Sequence, residues 1–101
     1  MTGVRAFVKQ QAAKEQKTLF KRQFAYILEH WDSYSCQVID DVFIGKKTIV
    51  LNFFPRVERE EPSFDWKKKE MSVKGGGAAY FRVRYEVETQ AFAEVWINSP
   101  M

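Results

Sequence analysis

Apolar residues fall at Val4, Phe7, Val8, Ala12, Leu19, Phe20, Phe24, Ile27, Leu28 and Trp31, spacings that repeat on one face of a helix. The pattern predicts a single long amphipathic helix over about 4–31. Lys14, Lys17, Lys21 and Arg22 lie mostly off the stripe, and no Gly or Pro interrupts from Val4 onward. The stretch "WDSYS" at 31–35 supplies Asp and Ser, which favour turns and should end the helix.

From about residue 36 to 98 the pattern changes to that of a sheet. "QVIDDVFI" and "KTIVLNFF" flank Gly45 and Lys46, and a two-residue turn there would set Ile44 opposite Lys47, Val42 opposite Ile49, Asp40 opposite Leu51 and Val38 opposite Phe53. Pro55 closes the second strand, and "RVEREEP" reads as a charged connection. "SFDWKKKEMSVK" at 63–74 is expected to add a strand with a bulge. After the Gly75–Gly77 turn, "AAYFRVRYEVE" alternates, with Phe81, Val83, Tyr85 and Val87 on one face and Arg82, Arg84, Glu86 and Glu88 on the other. In "AFAEVWI", Phe92 and Trp96 are expected on one face, Val95 and Ile97 on the other.

One long helix followed by four or five mainly antiparallel strands implies an α+β domain, with the helix packed on a curved sheet. The order α-β-β-β-β resembles the cystatin-like and shortened nuclear-transport-factor-like cone folds. This is a likeness of architecture without a family motif, so it implies no activity. A chain of 101 residues without internal repeats is expected to be one domain spanning 1–101. At 46% hydrophobic and 16% aromatic, it has enough apolar surface for a core and a surplus for an interface.

Charge and cysteine use narrow the function classes. Residues 1–31 hold six basic groups against Glu15 and Glu29, whereas the remainder holds ten basic and eleven acidic groups. The positive field therefore belongs to the first element. A lone Cys36 excludes an intrachain disulfide and suits the cytoplasm. No apolar run suits a membrane span or a secretion signal, so no membrane partner is expected. With His30 the only histidine and Cys36 the only cysteine, no metal site of His and Cys ligands can be built within one chain, and no cofactor is implied. A Cys36–His30 nucleophile pair carries no local signature.

Asp40 and Asp41 are the chemical oddity. Neighbouring residues in a strand point to opposite faces, so a regular strand places one of them on the apolar side. In the register above that residue is Asp40, among Val38, Val42, Leu51 and Phe53. A carboxylate buried there must be paired, protonated or at a cavity mouth. A bulge, or a place on a sheet edge, would instead leave it solvated.

No catalytic set is assembled. The leading expectation is a non-catalytic binding protein, a homodimer formed through sheet residues Phe43, Val50, Phe54, Phe92 and Trp96, open to a further protein partner. The alternative is a pocket for a small apolar ligand between helix and sheet, lined by Phe24, Leu28 and Trp31, with Asp40 as polar anchor and Tyr85 as hydroxyl donor. A third reading gives the basic helix face, the lysines at 67–69, Arg82 and Arg84 to a nucleic acid. Glu86 and Glu88 on the same face argue against it.

Overall fold

The structure is a computed structural model that describes residues 3–56 and 77–98. Its elements are helices α1 (Val4–Lys14) and α2 (Thr18–Glu29), then strands β1 (Tyr34–Phe43), β2 (Lys46–Pro55), β3 (Phe81–Glu86) and β4 (Ala91–Ile97). Short 3-10 turns at Trp31–Ser33 and Gly77–Ala79 precede β1 and β3. The strands form an antiparallel meander in the order β1-β2-β3-β4, and the two helices pack on one face, giving an α+β arrangement. The strand expected at 63–74 and the lysines at 67–69 lie outside the described residues.

The segment expected to be one helix over 4–31 is two. Its stripe has no strongly apolar residue between Ala12 and Leu19, so nothing in that stretch ties the chain to the sheet. Glu15 and Lys17 adopt extended backbone, with ψ of 133° and 127°. The Glu15 carboxylate accepts from the amides of Gln16 (3.2 Å) and Lys17 (3.1 Å), satisfying donors that a continuous helix would have used internally. Leu19 and Phe20, expected on the buried stripe, consequently lie exposed at the start of α2.

Beneath the helices lies a core of Val8, Phe24, Ile27, Leu51, Phe53, Phe81 and Val83. Burying side chains of this kind stabilises the fold by about 1.5–3 kcal/mol for each large residue. Phe53 and Phe81 stack with centroids 4.5 Å apart, Tyr34 meets Phe81 edge-on at 4.9 Å, and Trp31 packs against both phenylalanines. The Tyr34 hydroxyl donates to the Ala78 carbonyl at 2.5 Å. Burial, and to a smaller degree Tyr26, holds that hydroxyl well above the usual phenol range.

The β1–β2 register differs from the expected one by two residues. Ile44 and Gly45 form the turn, both with positive φ (51° and 74°), so Phe43 faces Lys46, Val42 faces Lys47, Asp40 faces Ile49 and Val38 faces Leu51. A turn with two left-handed residues matches the twist of the strands it joins, at the cost of strain at the β-branched Ile44. The shift preserves parity, so Val38, Asp40 and Val42 still share the helix-side face with Leu51 and Phe53.

In β4 the expected faces fail at a bulge. Arg84 faces Glu94 but Tyr85 faces Phe92, leaving Ala93 as the extra residue. This turns Phe92 to the helix side, where it stacks on Phe7 at 5.4 Å, while Trp96 stays on the opposite face. No helix among the described residues is long and apolar enough to cross a membrane.

Candidate functional site

β2 is buried on both faces: Leu51 and Phe53 belong to the core under the helices, and Val50, Asn52 and Phe54 are buried on the other side. Its apolar run from Ile49 to Phe54, broken by Asn52 alone, has the character of an interior strand. β1, in contrast, pairs among the described residues only with β2 and lies at the sheet edge. The helix pair does not reach its distal half. Val38 and Val42 are 66% and 65% exposed, and Ile44 at the turn is 84% exposed.

The edge position answers the puzzle of the two aspartates. Both are solvated, Asp40 on the uncovered part of the helix-side face and Asp41 on the other face. With Phe43 and Lys46 flanking a two-residue turn, odd-numbered β1 residues bond to β2, and Cys36, Val38, Asp40 and Val42 direct their amides outward. The Val42 amide is satisfied by the Asp41 carboxylate, Oδ1 at 2.8 Å. At the other end the Tyr34 amide donates to the Trp31 carbonyl. Asp41 is thus a cap on an edge amide, a charge placed where another strand would otherwise pair.

Alongside this edge, Asp40, Asp41, Val42, Lys47, Thr48, Ile49 and Val87 line an open cavity of about 450 Å³. It offers the Asp40 carboxylate and the Lys47 ammonium above an apolar floor, Asp41 lying on the other face. The proposed anchor Asp40 therefore does line a cavity, but Phe24, Leu28, Trp31 and Tyr85 do not line it with Asp40. Phe24 is buried in the core, Leu28 and Trp31 pack against it, and Tyr85 meets Phe92 edge-on at 5.1 Å. Trp31 packs on Phe53, which faces Cys36, and Asp40 lies four residues further along β1, about 13 Å at the ordinary strand rise. The helices cover one end of the sheet, and the acidic pair sits at the other.

The five residues expected at the interface also divide. Val50 and Phe54 are already buried within the chain, Phe92 is engaged with Phe7 and Tyr85, and Phe43 and Trp96 remain exposed. Phe43 carries the Arg84 guanidinium 4.2 Å from its ring centre. Arg84 is buried, with Nη2 donating to Glu94 at 2.7 Å and Nη1 to Glu86 at 3.4 Å, so it is engaged within the sheet. Arg82 also has partners within the chain.

His30 and Cys36 have separate commitments. His30 stacks on Tyr26 at 4.1 Å, with Nδ1 2.9 Å from the Tyr26 carbonyl. Cys36 lies exposed on the β1 edge. No group of three or more His, Cys, Asp or Glu side chains among the described residues could hold a metal ion. The groove residues Val42, Lys47 and Val87 were not among the site residues expected from the sequence. Their signal was the parity they share with Asp40, and only the reach of the helices shows that this end of the face is open. The chain matches no family model, no curated protein and no solved structure, so its function is read from this geometry.

Proposed function

We propose that the chain is a small, non-catalytic, cytoplasmic binding protein that acts as a homodimer formed through the β1 side of its sheet. The carrying observation is the exposure of Val38, Val42 and Ile44 beside an edge strand that pairs on one side only among the described residues. Apolar side chains next to open backbone donors and acceptors favour association, because burial supplies the driving force and strand pairing supplies the geometry. A cone-like curvature of the sheet around the helices belongs to the same proposal, and the bulge at Ala93 supports it by adding local twist.

Light scattering on the purified chain at micromolar concentration tests the dimer. A mass of twice 11.9 kDa is expected, and a strictly monomeric particle would sink the reading.

A second reading assigns the 450 Å³ groove to a small ligand with an apolar body and a cationic group, held by Asp40 over Val42, Ile49 and Val87. A thermal-shift screen of small amines tests it. Hits should lose their stabilisation in Asp40→Asn, and an unchanged response would remove Asp40 as the anchor.

A further inference from the structure

The open part of the β1 edge is bounded on both sides. The Tyr34 amide is taken by Trp31 and the Val42 amide by Asp41, so among the described residues the outward-facing ones left to pair are Cys36, Val38 and Asp40. This set is symmetric about Val38. We propose that β1 pairs antiparallel with β1 of a second copy about a two-fold axis at Val38, an inference that rests on the dimer reading above and fixes its register.

In this register Val38 meets Val38 of the second copy, and Cys36 meets Asp40 in both directions. Each outward amide then faces an outward carbonyl, as closure by two-fold symmetry demands. A second copy is the occupant that meets these conditions without any further sequence requirement, because the open segment is its own complement.

Charge selects the same register. A two-fold axis at Asp40 would set two carboxylates directly opposite, with backbones about 5.5 Å apart. With the axis at Val38 the two Asp40 residues are four positions apart, about 13 Å at the ordinary strand rise, beyond the roughly 8 Å over which salt leaves charges unscreened.

Disulfide trapping reads the register directly. Paired backbones about 5.5 Å apart fall within the range a disulfide spans, roughly 4.4–6.8 Å. In a Cys36→Ser background, Val38→Cys should convert most of the chain to a covalent dimer under mild oxidation. Asp40→Cys should do so only when the native Cys36 is retained, because Cys36 of the second copy is its partner. The unmodified chain should not cross-link, its two Cys36 residues being four positions apart. A light-scattering dimer without a cross-link at position 38, or one that cross-links through Asp40→Cys in the Cys36→Ser background, would overturn the register and leave the dimer standing. A monomer would overturn both.

Discussion

Arg84 and Glu94 face each other across β3 and β4, joined by an Nη2–Oε1 contact of 2.7 Å, while the guanidinium rests 4.2 Å from the centre of the Phe43 ring. The contact ties β4 to β3 and, through Phe43, β3 to the far end of β1. Glu94 is 40% exposed, so water screens the pair from its side, whereas Arg84 is 8% exposed by side chain. Among the described residues, removing the carboxylate leaves the buried cation with Glu86 at 3.4 Å and the Phe43 ring. Glu94→Gln is therefore expected to destabilise the chain by about 1–2 kcal/mol, below the 3–5 typical of a fully buried pair. Arg84→Lys should cost at least as much, since an ammonium can neither fork to two carboxylates nor present a planar group to Phe43. Urea unfolding of the two variants checks both values, and a null effect of Glu94→Gln would show the pair to be ornamental.

Ile44 is strained. It is β-branched, stands at φ 51° in the turn between β1 and β2, and is 84% exposed, so it gains little packing in return. Asn tolerates the left-handed region and is favoured in turns of this kind. Ile44→Asn should therefore stabilise the chain by about 1 kcal/mol, the lower end of the usual left-handed penalty. For a domain of this size that raises Tm by roughly 4–8 °C. Thermal unfolding followed by far-UV circular dichroism is the measurement. A fall in Tm would mean that Ile44 has a packing partner.

Much of the strand layer was legible in the sequence. Alternation in "FRVRYEVE" and the apolar run "TIVLNFF" define β3 and β2 because half-burial and full burial leave different patterns. The helix break was not legible by the same rule. Ala12 and Leu19 are seven residues apart, which is in phase for a helix, and periodicity cannot show that the intervening turn is unsupported. Nor could it show where the helices stop covering the sheet. Asp40 has the parity of a core residue and becomes solvated only because β1 is an edge strand beyond their reach. Phe92 was assigned to the wrong face because a bulge at Ala93 carries no signature in "AFAEVW".

The Tyr34 hydroxyl supplies an alkaline limit. Its pKa is raised in the folded chain, so folding favours the protonated form. Its contribution is present in full below the unfolded value, near 10, and declines as pH rises beyond that, because the unfolded chain loses the proton first. The wild type should show a steeper loss of stability above pH ~10 than Tyr34→Phe. At neutral pH Tyr34→Phe should cost about 1 kcal/mol for the hydrogen bond to Ala78. Denaturant midpoints across pH 8–11 test the crossing of the two curves, and parallel curves would remove Tyr34 as the titrating group.

Glu15 holds the junction between α1 and α2 by accepting two backbone amides on the exposed surface. Glu15→Ala frees both, and a lost capping contact of this type costs about 0.5–2 kcal/mol. The expected result is a Tm lower by several degrees, with hydrogen exchange at Gln16 and Lys17 accelerated before any change at Ile27, which lies in the core. Equal acceleration at Ile27 would mean that the junction opens only with the whole fold.

Asp41 closes the argument about the edge, because its carboxylate occupies the Val42 amide and so sets where β1 stops offering donors. Asp41→Ala returns that amide to the edge and removes a charge from an exposed strand that already displays Val38 and Val42. Both changes extend the surface on which a further strand can pair. In the two-fold dimer β1 is paired on both sides, so the freed amide acts on register and not on size: it lets Val38 pair with Val42 about an axis at Asp40. Asp41→Ala should therefore stay a dimer by light scattering but, with Asp40→Cys in the Cys36→Ser background, cross-link under mild oxidation where the chain with Asp41 intact does not. Asp41→Asn separates the two causes: the amide oxygen can still accept from Val42 while the charge is gone. If the asparagine variant does not cross-link at position 40, the cap is what limits the edge; if it cross-links there as the alanine variant does, the charge is. If neither variant cross-links at position 40, the Asp41 carboxylate does not set where β1 pairs.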